Sequence, residues 1–221
     1  MNLINRLALA SAVIVMGAAA PAAAATYSFA GDFGASVFQY GTIDSANSFS
    51  AFAASDCSDI GVAGLCYRGS DKYQVEFRSD GDSLLLHPGP DAGQNSFLLF
   101  TAPTAGLYSF NATFDRNDSG DGVDIYSFGQ GGVTYVGTVN GTTPSFTYAG
   151  TQFLAAGQTV GLGVERGGVN ATYFNDSTLL TGFIAGPVPE PATWGLMLLG
   201  FGTVGAAMRR RTATGARTVS A

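Results

Sequence analysis

The chain has 221 residues, of which 31 are glycine and 26 aromatic, with one lysine, one histidine and two cysteines. Acidic residues outnumber Lys plus Arg by 16 to 10, and between Thr26 and Pro189 by 15 to 5, a formal charge of −10. A domain this acidic repels nucleic acid and anionic membrane surfaces, and His87 alone cannot supply a histidine-rich metal site.

Residues Met1–Ala25 read as a secretory signal peptide. Arg6 gives the positive start, Leu7–Ala20 an apolar run, and Ala22–Ala25 small residues for cleavage, with the cut expected after Ala25. An uncleaved anchor is the competing reading. The strand-like Thr26-Tyr27-Ser28-Phe29 follows at once.

From Thr26 to Pro187 no helical periodicity is evident. Short runs rich in Phe, Tyr, Val and Thr alternate with Gly/Asn/Asp/Ser clusters: Tyr73–Phe77, Leu84–His87, Ser96–Thr101, Gly106–Phe114, Val123–Phe128, Val133–Val139, Ser145–Tyr148, Thr159–Val164 and Thr178–Ile184. This spacing predicts an all-β antiparallel sandwich or barrel over residues 26–185. Strict alternation in Leu107–Phe114 gives one packed and one wet face. Asn140-Gly141 predicts a two-residue hairpin turn, and Gly131-Gly132 and Gly167-Gly168 read as turns too.

Cys57 and Cys66, with eight residues between them in an exported chain, predict a disulfide closing a small loop. The surrounding Ala51–Gly69 carries few strand signals, so an irregular loop or sheet edge is expected there. Asp115 to Asp124 packs four carboxylates into ten residues. Asp115, Asn117, Ser119 and Asp121 are candidate calcium ligands, because hard cations take closely spaced oxygens. Tyr126 stands where a bidentate Glu closes a calcium loop, and the alternative is an acidic, glycine-rich hairpin turn. No other cofactor is implied.

No nucleophile motif accompanies His87, which precedes Pro88-Gly89 at a strand end. Glycosidase chemistry needs two facing carboxylates, and Glu76 and Glu165 lie on separate runs. Tyr126, Tyr135, Tyr148 and Tyr173 flank polar turns, where rings could stack on sugar faces.

After the stiff Gly186-Pro187-Val188-Pro189 come Pro189-Glu190-Pro191, the apolar run 192–208 with Trp194 near its start, Arg209-Arg210-Arg211, and a polar tail, 212–221. Seventeen helical residues reach about 25 Å, a marginal transmembrane helix, with the arginines held on the cytoplasmic side. Taken together, Val188–Arg211 resembles the PEP-CTERM sorting signal of exported bacterial proteins, here delimited as 186–211. The resemblance implies recognition by an exosortase, a membrane-embedded Cys protease-transpeptidase that cleaves near Pro189-Glu190-Pro191. It also implies transit through the inner membrane to the cell surface or exterior, in bacteria that make extracellular polysaccharide. Phe100–Phe110, Ala155–Val160 and Phe174–Thr178 resemble a jelly-roll domain recurrent in such exported proteins, and are similar to the globular heads of complement-type and tumour-necrosis-factor-like proteins. The expected molecule is therefore a jelly-roll-like β-sandwich flanked by a signal helix and a transmembrane helix, non-catalytic and associated with extracellular polysaccharide. A polysaccharide-acting enzyme and a self-assembling coat protein are the alternatives.

Overall fold

A computed structural model describes residues 24–58, 64–69, 74–77, 82–91, 93–167, 173–187 and 193–215. It divides into two units; Ala24–Pro187 forms the β domain and the other holds the C-terminal helix.

Fourteen strands are described: β1 (Thr26–Ser28), β2 (Phe38–Ile43), β3 (Phe49–Ala51), β4 (Ala53–Asp56), β5 (Leu65–Arg68), β6 (Gln74–Phe77), β7 (Leu84–His87), β8 (Ser96–Thr101), β9 (Gly106–Arg116), β10 (Val123–Gly129), β11 (Gly132–Val139), β12 (Ser145–Leu154), β13 (Thr159–Arg166) and β14 (Thr178–Ala185). One sheet runs β12-β9-β14-β7-β6-β5-β4, with β1 added to β14; the second runs β11-β10-β13-β8-β2-β3. Within them β7-β14-β9-β12 faces β8-β13-β10-β11, the strand order of a jelly roll. Every observed pairing is antiparallel.

Alternation along β9 shows why the layers stack. Tyr108, Phe110, Ala112 and Phe114 turn inward and are buried, while Leu107, Ser109 and Asn111 face water. They meet Leu98 and Phe100 of β8 and Val160, Leu162 and Val164 of β13 in one continuous core. Burial of each such side chain contributes roughly 1.5–3 kcal/mol. Buried Asn95 ties the end of β2 to the start of β8: its Oδ1 accepts from the Ile43 amide at 2.8 Å and its Nδ2 donates to the Ile43 carbonyl at 2.8 Å.

The outer face of the second sheet is apolar as well, because glycines make room on it. Aligned residues run Tyr126, Gly163, Phe97, Gly41 across β10, β13, β8 and β2. A side chain at Gly163 would meet the Phe97 ring, and one at Gly161 would meet Leu99. Phe97 and Leu99 are thus buried on a face that would otherwise be wet, with Ile43 between them and the flanking Phe49 and Phe128.

Two turn expectations change. Asn140-Gly141 does not close a hairpin: β11 pairs with β10 in one sheet and β12 with β9 in the other. The connection is a crossover, held by Asn140 Oδ1, which accepts from the Thr142 and Thr143 amides at 2.9 Å each. Asp115–Asp124 likewise carries the chain from β9 to β10 between sheets. The Gln130-Gly131 turn between β10 and β11 is a true hairpin, with Gly132 at φ 84°. Of Gly167-Gly168, the second residue lies outside the described residues.

Cys57 and Cys66 form the expected disulfide, with both residues fully buried. It closes the end of the β4–β5 hairpin, where Ser55 pairs with Cys66. The Ala51–Gly69 region is therefore a sheet edge, and more strand-like than its composition suggests. Closing a loop this short stabilises by somewhat under ~3 kcal/mol. Replacing both cysteines by serine is expected to lower the melting temperature by about 5–10 °C, readable by calorimetry; an unchanged transition would contradict it.

The C-terminal run is helical, α1 (Thr193–Gly215), and its described side chains Leu199, Phe201, Val204 and Met208 are exposed. Among the described residues no helix is long and apolar enough to cross a membrane. Of the expected transmembrane run 192–208, residues 193–208 fall on α1, which continues through Arg209–Arg211, and Ala192 lies outside the described residues.

Candidate functional site

Small residues at one end of the sandwich leave it incompletely filled. Ser127, Gly129, Gly131 and Gly132 of the β10–β11 hairpin, with Thr134 and Gly161, face Phe110, Tyr148, Gln152 and Ile184 of the opposite sheet. The result is a cleft of about 220 Å³. Its floor is Phe29, Leu98, Phe100, Val160 and Leu162; its polar groups are Ser127, Gln130, Thr134, Tyr148 and Gln152. Among the described residues no Asp, Glu, His, Lys, Arg or Cys lines it. A site so composed holds a neutral ring-sized group by face contact and amide or hydroxyl hydrogen bonds.

The four tyrosines read as a stacking platform do not come together. Tyr148 lines the cleft. Tyr126 and Tyr135 meet edge to face on the outer side of the second sheet, centroids 5.8 Å apart, and Tyr135 is 54% exposed. Tyr173 packs on Phe174 and on the edge of the His87 ring. His87 itself places Nδ1 2.7 Å from the Pro88 carbonyl, a local turn contact. Glu76 and Glu165 sit in different sheets, and Glu165 accepts from the Gly93 amide at 2.6 Å.

Asp176 is central to the acidic connection. Asp176 is 2% exposed, and its Oδ1 accepts from the Gly122 amide at 2.8 Å. Gly120 packs against the same carboxylate so closely that no side chain would fit there. Arg116 donates from Nη2 to the Gly120 carbonyl at 2.7 Å, so the loop already contains a cation. Asn117 donates its amide to Ser177 O, and Asp118 Oδ2 accepts from the Ser177 amide. Among the described residues no three His, Cys, Asp or Glu side chains gather where they could hold a metal ion. Of the candidate ligands, Asp115 and Asn117 are half-buried and Ser119 and Asp121 exposed.

Burial pushes Asp176 up from 3.8 to about 6, with Asp121 and Asp118 adding to it and the Gly122 amide and Arg116 opposing. A carboxyl whose folded value is raised favours folding while protonated. That stability is complete below the unfolded value and is lost as pH rises through about 6. The melting temperature is expected to fall between pH 4 and 6.5 by more in the native chain than in Asp176→Asn. Equal slopes in the two proteins would contradict this.

Of the sorting residues, Pro189, Glu190 and Pro191 lie outside the described residues, as does residues 1–23 of the signal segment. Trp194, Arg209, Arg210 and Arg211 fall on α1, with Arg209 exposed. Ala25, at the expected cleavage point, is exposed, and its carbonyl accepts from the Gly186 amide at 2.7 Å just before β1.

Residues 187–211 match the family model of the PEP-CTERM protein-sorting motif. No curated protein matches the chain by sequence. Among solved structures the chain is similar to CBM51 from Clostridium perfringens GH95 in complex with methyl-galactose, at 10% identity and TM-score 0.34, covering 76% of this chain and 91% of that one. It is similar to the N-terminal cellulose-binding domain from Cellulomonas fimi β-1,4-glucanase C, at 12% identity and TM-score 0.33, covering 78% and 100%. It is also similar to the CBM51-2 and INT domains from Clostridium perfringens ZmpB, at 10% identity and TM-score 0.34, covering 66% of this chain but only 25% of that one.

Proposed function

We propose that the chain is an exported exosortase substrate whose β domain is a non-catalytic module binding a neutral saccharide of the extracellular matrix. The PEP-CTERM motif at 187–211 supports export and exosortase processing. The observation that carries the binding role is the composition of the cleft: aromatic rings, hydroxyls and amides, with no ionisable acid or base. Its 220 Å³ is below the ~300–1,000 Å³ of sites for drug-sized ligands, which suits a single sugar ring at a chain end or branch. The −10 charge of the domain disfavours uronate-rich or sulfated polymers. The enzyme reading has less support, because no pair of carboxylates faces the cleft.

After export the mature chain begins at residue 26 with β1, and processing near Pro189-Glu190-Pro191 separates residues 26–185 from the apolar helix. Co-sedimentation of the protein with neutral and with acidic extracellular polysaccharides tests the reading, with released reducing ends assayed in parallel. Retention on neutral polymer without sugar release is expected. Release of sugar, or retention only on acidic polymer, would overturn it.

A further inference from the structure

From Ile125 to Val164 the chain has 40 consecutive residues without one Asp, Glu, Lys, Arg or His. That stretch contains β12, the outermost strand of the first sheet. Edge strands of native sheets are ordinarily blunted by charge, proline, bulges or short length, since their unpaired amides and carbonyls recruit further strands. β12 uses none of these devices. It is ten residues long, Ser145–Leu154, and pairs with β9 residue for residue from Ser145–Asp115 to Leu154–Gly106 without a bulge. The edge strand of the other sheet contrasts with it: β11 is bulged at Val136, because pairing jumps from Ile125–Gly137 to Tyr126–Tyr135. Among the described residues, no strand pairs with the outer edge of β12.

We propose that β12 is a self-association edge, and that its occupant is β12 of a second copy running antiparallel. Charge selects the partner. Two copies carrying −10 each repel over most of their surface, and β12 is a long neutral border along which they can approach. Symmetry agrees with the sequence. In an antiparallel two-fold pair, facing residues share a face of the sheet, so an axis at the middle of Ser145–Leu154 falls on Ala149 or Gly150. Those are the smallest side chains of the strand, placed where each meets its own copy. With the axis on Ala149, Thr147 faces Thr151 of the second copy, a pairing of β-branched side chains that suits adjacent strands. Exposed Phe153, 65% exposed and beside the 58% exposed Leu107 on β9, gains cover from the added strand.

β12 also supplies Tyr148 and Gln152 to the cleft. Thr147, Ala149 and Thr151 alternate to the opposite face of the sheet, so the lysine variant tests the edge separately from the saccharide reading. Sedimentation velocity of the purified full-length chain in detergent tests it. A dimer at micromolar concentration is expected, becoming monomer in Thr147→Lys/Thr151→Lys with the melting temperature held within a few degrees. Oxidative cross-linking of Ala149→Cys and of Gly150→Cys gives a second reading that does not depend on the lysine variant folding. A disulfide-linked dimer is expected from one or both, and not from Ala105→Cys in the exposed β8–β9 connection. A wild-type monomer, a dimer unaffected by the lysines, or cross-linking no stronger at 149 and 150 than at 105 would overturn the proposal.

Discussion

Replacing Pro189, Glu190 and Pro191 together by alanine is expected to abolish processing of the exported chain, leaving an intact precursor in the membrane fraction. Two prolines two positions apart cannot be absorbed into the first turns of a continuous helix, and each biases the residue before it toward an extended backbone. On the sorting account this backbone preference is what the exosortase reads in Pro189-Glu190-Pro191. Three alanines, the best helix formers, let the helix extend backwards through the cleavage region. Because Ala24–Pro187 is a separate unit, the thermal transition of the β domain should not move. Mass spectrometry of the cell-associated and released protein, in a host with an active exosortase, reads the result. Normal release of the triple variant would contradict the sorting account.

The second large effect is on stability. Gly163→Val is expected to cost about 3 kcal/mol, the upper part of the usual range for overpacking. Gly163 is not held in a left-handed conformation, so its role is space: a Cβ there would lie 2.5–2.7 Å from the Phe97 ring, which is fully buried. Phe97 is aligned with glycine on both sides, Gly163 of β13 and Gly41 of β2, and lies over the gap they leave. Phe97→Ala alone should cost ~3–5 kcal/mol. The diagnostic is the double variant Gly163→Val/Phe97→Ala. With the ring gone the valine meets no obstacle, so the pair should be little worse than Phe97→Ala alone, a coupling seen between residues in direct contact. Additive losses in chemical denaturation would show that Gly163 matters for another reason.

The strands that alternate clearly were legible in the sequence. β7 to β14 each coincide with a predicted run, to within two residues at the ends except that β12 extends six residues beyond Tyr148. β9 shows the period of a half-buried strand, while β7 and β8 read as short continuous apolar runs. β2 to β5 were not, because strands of three to six residues are too short to show a period. Sheet order was partly hidden too. Asn140-Gly141 has the chemistry of a hairpin turn, but the same Asn side chain serves equally to brace a crossover between sheets.

The cleft was hardest to read because it is made by what is missing. Ser127 and Gly129 of β10 and Thr134 of β11 come from two strands, and only their common position at one end of the sandwich turns small side chains into a void. A hint was present in β10, whose inward series Val123, Ile125, Ser127 drops from large to small toward the hairpin. In the acidic connection the carboxylates and glycines were legible, but the contribution of Asp176, fifty or more residues later, to its backbone was not.

The most direct test of the binding role is calorimetric titration of neutral oligosaccharides, prepared from the producing organism's extracellular polysaccharide, into the wild-type chain and into Ser127→Phe. Phenylalanine at 127 projects from β10 into the cleft and fills it from the floor. The account predicts saturable binding to the wild type, loss of at least tenfold in affinity in the variant, and a melting temperature no lower than that of the wild type. Undiminished binding by a stably folded Ser127→Phe would contradict the assignment of the cleft as the saccharide site.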